Sequence, residues 1–297
     1  MIEFRHEVML GLWSIGGDWG PVDVPATQAL LRRAVDLGIR WVDTAPIYGR
    51  GEADRLLATS LPELDLRVAT KVGPRFEGAH PRCDLSPDSV RRDLEESLRR
   101  LGVDHVDLVQ AHWPCERGTP LEDTVGALKE LVQEGKAKAW GLCNFGPDAA
   151  EAQPATLQAA YSLMRREVEQ NGVRERCQKD GVSLLAYETL GRGLLAGRFR
   201  SLPRFAEGDH RRRDPRFWGA RFYRTNRSVD LLRQATARLG YPTAALAAGW
   251  VLAQAGVSGV IVGARTADQL AESVRAREVA DDPRALRLLD RIAATFR

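Results

Sequence analysis

The sequence contains little lysine, since five of its 43 basic residues are lysines and the other 38 are arginines. One of these few lysines, Lys71, lies in the short, apolar and β-prone segment 67–73. A strand of this kind is expected to be buried, and a buried strand rarely contains a charged side chain. An arginine is effectively always charged, whereas the pKa of a lysine responds to its surroundings. A chain that uses arginine at most basic positions has at this position the cation whose pKa can be tuned, which indicates chemistry at this strand end.

The sequence also lacks long apolar segments and closely spaced cysteines. No apolar run approaches the roughly 18 residues that would span a membrane, and the N-terminal residues lack the apolar core of a secretion signal. Its four cysteines, at positions 83, 115, 143 and 177, form no C-x-x-C pair, which is simplest to explain in a reducing compartment. We therefore expect a cytoplasmic protein with unpaired cysteines and no membrane partner.

Neither an excess of one charge nor a cluster of histidines is present. The formal net charge is +3, and the densest basic run, 210–213, lies between Asp209 and Asp214. Such a short and neutralised run does not support nucleic-acid binding. The five histidines include no His-x-His, so the pattern predicts no metal site and argues against a metal hydrolase.

After its first twenty residues the sequence alternates regularly between β-prone runs and amphipathic helical stretches. Helix starts and stops are marked by capping residues and glycines, as at Ser86 and Gly102. Strands are predicted at 39–45, 67–73, 105–112, 137–144, 156–161, 182–187 and 259–263. Helices are predicted at 30–37, 86–101, 121–134, 172–179, 229–239 and 243–254, with two more at the C-terminal end. Segment 191–225 lacks periodicity and is predicted to be a long functional loop.

About eight strand–helix units with no linker between them predict one domain over residues 1–297. The expected fold is a parallel (β/α)₈ barrel of the TIM type, with the long loop before the last strand–helix units. A doubly wound open sheet is the alternative, but it would need a Gly-x-Gly-x-x-Gly turn where this chain has segment 43–49. In a barrel the carboxyl ends of all strands share one face, which carries the active site.

Four chemically useful side chains lie at or just after predicted strand ends: Asp43, Tyr48, Lys71 and His112. Each alone could be structural: a strand-ending aspartate, a loop aromatic, a lysine that reaches solvent, a core histidine. Because the barrel brings strand ends together, their joint placement predicts one catalytic group.

These four residue types suit the protonation of a developing alkoxide. A free tyrosine has a pKa of about 10, and the Lys71 cation is expected to lower the pKa of Tyr48, while Asp43 keeps the lysine charged and oriented. His112 can hydrogen-bond a carbonyl or relay a proton. Since no side chain supplies a hydride, carbonyl reduction would also need a cofactor.

Two other chemistries stay open at this point. Lys71 could form a Schiff base, although Asp43 and Tyr48 would then have weaker roles. A thiol nucleophile at Cys115 or Cys143 is conceivable on the same face, but neither cysteine has a recognisable motif around it.

With their flanking residues, these positions resemble the aldo-keto reductase superfamily along nearly the whole chain, in particular its bacterial branch that acts on sugars and small carbonyls. The matching segments are 11–17, 37–49, 69–73, 97–108, 140–145, 158–162, 186–197 and 261–272. The resemblance implies that Tyr48 is the general acid, that Lys71 and Asp43 tune it, and that His112 orients the carbonyl. The implied activity is NADP-dependent reduction of a small-molecule aldehyde, ketone or keto sugar.

Members of that family bind NADPH, extended across the barrel mouth, and have no Rossmann domain. The resemblance therefore implies that the cofactor is NADPH rather than NADH. Asn144 and Gln158 would hold the carboxamide, and Tyr187 would stack on the nicotinamide. The implied pyrophosphate contacts are Leu190, Gly191, Gly193 and Leu194. The implied adenosine contacts are Gly263, Arg265, Gln269 and Glu272, with Arg265 at the 2′-phosphate. Trp13 is a further expected cofactor contact, and it would form apolar pocket walls with Trp19, Phe76 and Trp113.

The chain departs from the family pattern at several positions. Cys143 stands where a serine is usual, Glu188-Thr189 replaces serine-proline, and Ser273 replaces an asparagine. The alternative function is a nucleotide-binding regulatory or partner subunit of the same fold, like the potassium-channel β subunits. The pattern specifies no oligomeric state.

Overall fold

The computed structural model describes residues 4–78, 80–115 and 118–296. Its strands in chain order are β1 (Glu7–Gly11), β2 (Trp41–Asp43), β3 (Arg67–Val72), β4 (Pro74–Glu77), β5 (His80–Cys83), β6 (Val106–Ala111), β7 (Ala137–Cys143), β8 (Thr156–Ala160), β9 (Ser183–Tyr187) and β10 (Val257–Gly263). Its α-helices are α1 (Val24–Asp36), α2 (Glu52–Ala58), α3 (Pro87–Leu101), α4 (Leu121–Gln133), α5 (Val173–Asp180), α6 (Gly219–Leu239), α7 (Thr243–Leu252), α8 (Ala267–Val274), α9 (Ala276–Ala280) and α10 (Pro283–Ala293). Short 3₁₀ helices lie at Trp13–Ile15, Tyr48–Gly51, Leu61–Glu63, Pro147–Ala152, Glu167–Glu169, Gly191–Ala196, His210–Arg213 and Pro215–Phe217.

Eight of the strands close into a parallel barrel in the order β1-β10-β9-β8-β7-β6-β3-β2. Strand β1 completes the ring, because Leu10 is in register with Val262 on one side and with Val42 on the other. The predicted (β/α)₈ TIM barrel is confirmed, and the open doubly wound sheet is wrong. Strands β4 and β5 form a separate antiparallel hairpin.

The inside of the barrel is filled by a small apolar core from six strands: Met9, Trp41, Ala69, Leu108, Leu185 and Ile261. Phe4, which precedes the first strand, packs on this core with its ring centroid 4.8 Å from that of Trp41. Truncation of a buried aromatic of this kind costs about 3–5 kcal/mol. The inside of the barrel is therefore packed with side chains and is not an open channel.

The helices form the outer layer and bury their apolar faces on the barrel. Helix α7 is apolar on all sides, and every residue from Ala244 to Leu252 is buried. A methyl group added at Gly249 would lie 2.5 Å from Val279 Cβ, so a glycine lets α7 and α9 approach closely. Within the described ranges no helix is long and apolar enough to cross a membrane.

Several elements differ from the sequence prediction. Strand β1, helix α2 and the β4–β5 hairpin were not expected, because each is short and carries little periodicity. Helix α6 begins at Gly219, inside the segment predicted as a loop, since its first turns are mostly polar and bury only Phe222 and Asn226. The C-terminal end forms three helices instead of two.

The cysteines also differ from expectation. Cys83 and Cys115 form a disulfide with their Cα atoms 5.2 Å apart, although 32 positions separate them in sequence. Strands β3 and β6 are neighbours in the barrel, so the segments that follow them meet at the mouth. The expectation of four unpaired cysteines is therefore wrong for this pair, while Cys143 and Cys177 are free and buried.

Candidate active site

A cavity of about 500 Å³ opens at the carboxyl ends of the barrel strands. Of the residues singled out in the sequence, those that line it are Trp13, Trp19, Asp43, Tyr48, Phe76, His112, Trp113, Cys143, Asn144, Gln158, Tyr187, Glu188, Leu190, Gly193, Gly263, Arg265, Gln269, Glu272 and Ser273. Gly191 and Leu194 are buried in the bordering 3₁₀ helix and are absent from this wall. The barrel thus brings nearly all the expected residues to one site.

Lys71 lies beneath the cavity wall and joins Asp43 to Tyr48. Its Nζ donates to Asp43 Oδ1 at 2.6 Å, to the Thr44 carbonyl at 3.1 Å and to Tyr48 Oη at 3.3 Å. The side chains of Lys71 and Asp43 are only 1% and 4% exposed. Three of the four residues singled out at strand ends are therefore connected through one buried ammonium group.

Tyr48 is held over Lys71 by a tight turn. Gly49 and Arg50 adopt left-handed backbone angles, with φ of 55° and 56°. A Cβ atom at Gly49 would overlap the Gly16 carbonyl, so this position requires glycine. Asp18 anchors the turn, because its Oδ2 accepts hydrogen bonds from Gly49 N at 2.9 Å and from Trp13 Nε1 at 3.1 Å. No role for Asp18 was predicted from the sequence, because no recognisable motif surrounds this residue.

The buried charges set the protonation of the site. Burial lowers the pKa of Lys71, but Asp43 and Tyr48 outweigh burial and the net pKa is raised, so the lysine stays charged at neutral pH. Burial raises the pKa of Tyr48 above its ordinary value, and the opposing charge of Lys71 does not cancel this effect. Lys71 acts on the phenol in the expected direction, but the expected net lowering is wrong. At neutral pH the phenol therefore keeps its proton.

His112 faces Tyr48 across the cavity as a neutral ring. Burial, and then the charge of Lys71, hold the pKa of His112 well below its usual range. The ring centroids of His112 and Tyr48 are 5.9 Å apart, and His112 Nδ1 is buried without a hydrogen-bond partner among the described residues. The His112 ring lines the cavity beside the phenol, so a polar group that enters the cavity can meet the ring there.

Two amides border the same floor. Gln158 Nε2 donates to Asp43 Oδ2 at 2.9 Å, and Gln158 Oε1 lies 3.3 Å from Cys143 Sγ. Asn144, at a left-handed φ of 65°, donates from Nδ2 to the His112 carbonyl at 3.1 Å, and its Oδ1 accepts from Tyr187 Oη at 2.7 Å. Of the two side chains expected to bind the carboxamide, Gln158 is thus hydrogen-bonded to the ion pair through Asp43, and Asn144 is hydrogen-bonded to His112 and Tyr187.

Cys143 lies under these amides and is an inert thiol in this setting. Its side chain is buried, and burial raises the pKa of the thiol to about 12, with the charges of Lys71 and Asp43 acting in opposite directions. A thiol with so high a pKa is a poor nucleophile at neutral pH. The geometry therefore disfavours the thiol chemistry that the sequence left open at this position.

The far end of the cavity is bordered by the start of α8. Thr266 caps this helix by accepting from Gln269 N, and Gln269 Oε1 accepts from Arg265 N at 2.9 Å. The Arg265 guanidinium donates to the carbonyls of Trp19 and Pro21, at 2.9 and 3.0 Å. Because these partners are carbonyls rather than carboxylates, they hold the group in place without neutralising its charge.

Glu188 is the centre of an ion-pair cluster. The sequence identifies this residue as a departure from the family pattern but does not predict its partners. Its buried carboxylate accepts hydrogen bonds from Arg192 Nε at 2.7 Å, from Arg216 Nη2 at 3.1 Å and from Arg165 Nη1 at 3.3 Å. Asp214 accepts from Arg216 Nη2 at 2.7 Å and lies 3.2 Å from Arg192 Nη1. Burial alone would raise the pKa of Glu188, but the surrounding arginines lower it. The cluster joins the segment after β9 to the long loop before α6.

Aromatic side chains form the remaining wall. Trp13 lies between Trp19, Tyr48 and His210, with ring centroids 5.4, 6.3 and 5.9 Å away. Phe76, on the hairpin, and Trp113, after β6, also line the cavity. The expected apolar walls are therefore present, and His210 is an addition from the long loop that the sequence reading did not assign to the pocket.

The fold and the site can be compared with known proteins. The profile of the Aldo/keto reductase family matches residues 7–294. The chain is 34% identical to "Aldo-keto reductase YhdN" of Bacillus subtilis over 272 residues, which covers 88% of this chain and 82% of that protein. It is 31% identical to the "NADH-specific methylglyoxal reductase" of Escherichia coli, over 91% of this chain and 89% of that protein. The structure of the glycerol dehydrogenase AKR11B4 from Gluconobacter oxydans superposes with a TM-score of 0.87 at 32% identity, and covers 98% of this chain and 92% of its own.

Proposed function

The chain belongs to the aldo/keto reductase family, and from that premise we propose that it is an NADPH-dependent oxidoreductase that reduces an aldehyde, ketone or keto sugar to the alcohol, with Tyr48 as the general acid. The observation that carries the proposal is the 3.3 Å hydrogen bond from Lys71 Nζ to Tyr48 Oη at the floor of the cavity. The proposed setting is a single cytoplasmic domain that acts on a small-molecule carbonyl.

The proton transfer follows from the protonation states of these side chains. Tyr48 holds its proton at neutral pH because burial raises its pKa, so it is in the donor form that carbonyl reduction requires. As negative charge develops on the substrate oxygen, the phenol gives up its proton, and the Lys71 ammonium stabilises the phenolate that remains. Asp43 keeps Lys71 charged and aimed at this oxygen. General acid catalysis of this kind contributes about 10²–10⁴ in rate.

His112 completes the carbonyl site as a hydrogen-bonding group. Its pKa is lowered by burial and by Lys71, so it is neutral and does not compete with Tyr48 as the proton source. A neutral imidazole can donate one hydrogen bond to the carbonyl oxygen and so fix its position near the phenol.

The residues that border the cavity suit a nicotinamide dinucleotide. The wall carries an arginine, Arg265, whose guanidinium donates to backbone carbonyls, so its charge is available to a phosphate. At the other end of the cavity Asn144 and Gln158 offer amide groups near Tyr48, where a carboxamide would be recognised. When bound, the reduced dinucleotide supplies the hydride that no side chain can provide.

The residues that would hold each part of the cofactor follow the family resemblance. Asn144 and Gln158 would bind the carboxamide, Tyr187 would stack on the nicotinamide, and Trp13 would border it. The segment from Leu190 through Gly191 and Gly193 to Leu194 would face the pyrophosphate. Gly263, Gln269 and Glu272 would meet the adenosine. Arg265 would bind the 2′-phosphate, and its carbonyl-held guanidinium is the reason to propose NADPH rather than NADH.

The proposal is tested by NADPH oxidation with a panel of small aldehydes, ketones and keto sugars. We expect turnover by the wild type and a loss of kcat of at least about 100-fold in Tyr48→Phe. Binding of NADPH, measured by quenching of tryptophan fluorescence, is expected to stay unchanged in this variant. Undiminished turnover by Tyr48→Phe would show that the assigned acid is wrong. Tight NADPH binding by the wild type with no turnover of any panel compound would favour a regulatory subunit.

A further inference from the structure

The Cys83–Cys115 disulfide lies on one side of the barrel mouth and joins two segments that form the cavity wall. Cys83 is the last residue of the β4–β5 hairpin and is paired there with Pro74. Cys115 follows Trp113, two positions after it in the segment that leaves β6. The Cα separation of 5.2 Å falls in the range that an ordinary disulfide requires. The crosslink therefore ties the hairpin to the segment after β6.

Both tied segments contribute side chains to the same part of the wall. Phe76 and Pro81 come from the hairpin, and His112 and Trp113 come from the segment that leaves β6. The ring of Trp113 also packs on His112, with centroids 4.5 Å apart. The groups proposed to hold the cofactor lie on other elements, namely the segment after β1 and the elements from β7 to α8. The disulfide therefore bears on the carbonyl-binding side of the cavity.

The surroundings of the two sulfur atoms can accommodate the reduced form as well. Both cysteines are partly exposed, unlike the buried Cys143 and Cys177. The sulfur atoms of Cys83 and Cys115 lie 3.7 and 3.8 Å from the Trp113 carbonyl oxygen. A free thiol is a weak donor, and this carbonyl is an acceptor near both sulfur atoms when reduction lets them move apart. Partial exposure is the property that exchange with small thiols and disulfides in solution requires.

We propose that Cys83 and Cys115 form a redox-active pair that exchanges with small-molecule thiols and disulfides, and that its oxidation orders the carbonyl-binding wall. In the oxidising direction one cysteine thiolate attacks a small disulfide and releases one small thiol. The second cysteine then attacks the mixed disulfide, forms the Cys83–Cys115 bond and releases the second small thiol. The protein thus loses two electrons and two protons, and the small disulfide gains both.

The expected consequence, which rests on the proposed carbonyl reductase activity, is a change in the Michaelis constant for the carbonyl. With the crosslink in place, Phe76 and Trp113 are held before substrate enters, whereas the reduced protein must order them on binding. Ordering one or two side chains corresponds to a Michaelis constant that is about threefold to tenfold higher in the reduced protein. The dissociation constant for NADPH is expected to be the same in both states.

The exchange chemistry is tested first, without reference to activity. The full-length protein is incubated with glutathione disulfide or with dithiothreitol, its free thiols are alkylated, and the peptides are identified by mass spectrometry. We expect a linked Cys83–Cys115 peptide after oxidation and alkylation of both cysteines after reduction. Hydrogen exchange of segments 74–78 and 80–83 and of residues 113–115 is expected to slow on oxidation. Complete alkylation after oxidation, or identical exchange in the two states, overturns the proposal.

Kinetics with the carbonyl substrate test the functional part. The wild type is compared with Cys83→Ser/Cys115→Ser, in which exchange at this pair is impossible while Cys143 and Cys177 remain. We expect dithiothreitol to raise the Michaelis constant of the wild type and to leave that of the double variant unchanged. An equal response of both proteins, or none in the wild type, overturns the functional part. If no carbonyl is reduced at all, the proposed function fails, whereas the mass spectrometry and hydrogen exchange still decide whether the pair is redox-active.

Discussion

The floor and the rim of the cavity are built by different means. The floor consists of Asp43, Lys71 and Gln158, which lie on barrel strands and are hydrogen-bonded to one another. The rim consists of the hairpin β4–β5, the segment 188–196 and the segment 205–218, of which the last two meet through side-chain ion pairs. Backbone register between neighbouring strands fixes the floor, whereas the rim depends on contacts between distant parts of the chain.

This difference indicates what each region contributes to the site. A buried ion pair such as Lys71–Asp43 loses hydration on both partners, and apolar residues of similar volume are often as stabilising or more so. Its presence at the floor is better explained by the protonation of Tyr48 than by stability. The arginine–carboxylate pairs of the rim keep partial contact with water and serve to position loops. Under the proposed function, the floor would carry the chemistry and the rim would set the shape of the cavity.

The largest effect should follow from breaking the ion pair of the floor. Lys71→Met removes the cation and leaves the Asp43 carboxylate buried with only Gln158 as a hydrogen-bond donor from the floor. We expect the free energy of unfolding to fall by about 3–5 kcal/mol, because an uncompensated buried charge is costly. Urea denaturation followed by circular dichroism measures this change.

Lys138→Met is the matched control for that loss. Lys138 also donates to a carboxylate, that of Asp107 at 2.8 Å, but its side chain is 56% exposed. Its removal should cost no more than about 1 kcal/mol. The double variant Asp43→Asn/Lys71→Met should recover part of the stability lost in Lys71→Met. Equal stability of Lys71→Met and Lys138→Met would contradict the distinction between floor and surface ion pairs.

At the rim, Glu188→Gln tests whether ion pairs position the loops. The substitution keeps the shape of the side chain but removes the charge that Arg192 and Arg216 share. We expect a loss of about 2 kcal/mol in the free energy of unfolding, the value of a hydrogen bond to a charged group. We also expect faster hydrogen exchange in segment 205–218, while the floor strands stay protected. Hydrogen exchange resolved by mass spectrometry separates the two regions.

Glu130→Gln supplies the comparison for this rim variant. Glu130 also pairs with an arginine, Arg91, at 3.2 Å, but its side chain is 62% exposed. A change in unfolding free energy within about 0.5 kcal/mol is expected there. If Glu188→Gln behaved like Glu130→Gln in both measurements, the cluster would not be what holds the rim together.

The floor could be predicted from the sequence and much of the rim could not. Lys71 and Asp43 end β-prone runs, and parallel strands in a barrel necessarily bring such ends together. Glu188 contacts Arg165 and Arg216, which lie on two different loops, and no local pattern encodes that meeting. The Cys83–Cys115 pair was missed for the same reason, because it depends on which strands are neighbours. The raised pKa of Tyr48 was missed because it depends on burial.

Asp93 on α3 supports the junction where the floor strand β3 leads into the rim hairpin. Its Oδ2 accepts from Gly73 N at 2.9 Å, and burial raises its pKa to about 6. The Asp93 carboxyl group therefore binds its proton more tightly in the folded protein than in the unfolded chain. The protonated carboxyl group stabilises the fold at low pH, and this contribution is lost as the pH rises from about 4 to about 6. We expect Asp93→Asn, which remains neutral, to be more stable than the wild type at pH 7 by about 1–2 kcal/mol.

The check is the free energy of unfolding measured in urea across this pH range for both proteins. The difference between Asp93→Asn and the wild type should be small near pH 4 and should grow until the Asp93 carboxyl is ionised. A difference that stays constant with pH would mean that Asp93 does not titrate in this range. A wild type that is more stable than Asp93→Asn at pH 7 would mean that Arg75, 3.5 Å away, compensates the charge fully.

The smallest effect is expected at the outer end of the rim, where Arg265→Ala tests cofactor selection. Arg265 is exposed and held by two backbone carbonyls, so its loss should leave the fold intact. We expect the Michaelis constant for NADPH to rise about fivefold and that for NADH to stay nearly constant. A fivefold rise corresponds to about 1 kcal/mol, which is the value of one solvent-exposed charge pair. Arg238→Ala, an exposed arginine outside the cavity wall, controls for the loss of a positive charge. Steady-state kinetics with both dinucleotides measure the two Michaelis constants. An equal rise of the Michaelis constants for NADPH and NADH would mean that Arg265 binds the part that the two cofactors share, and that another residue binds the 2′-phosphate.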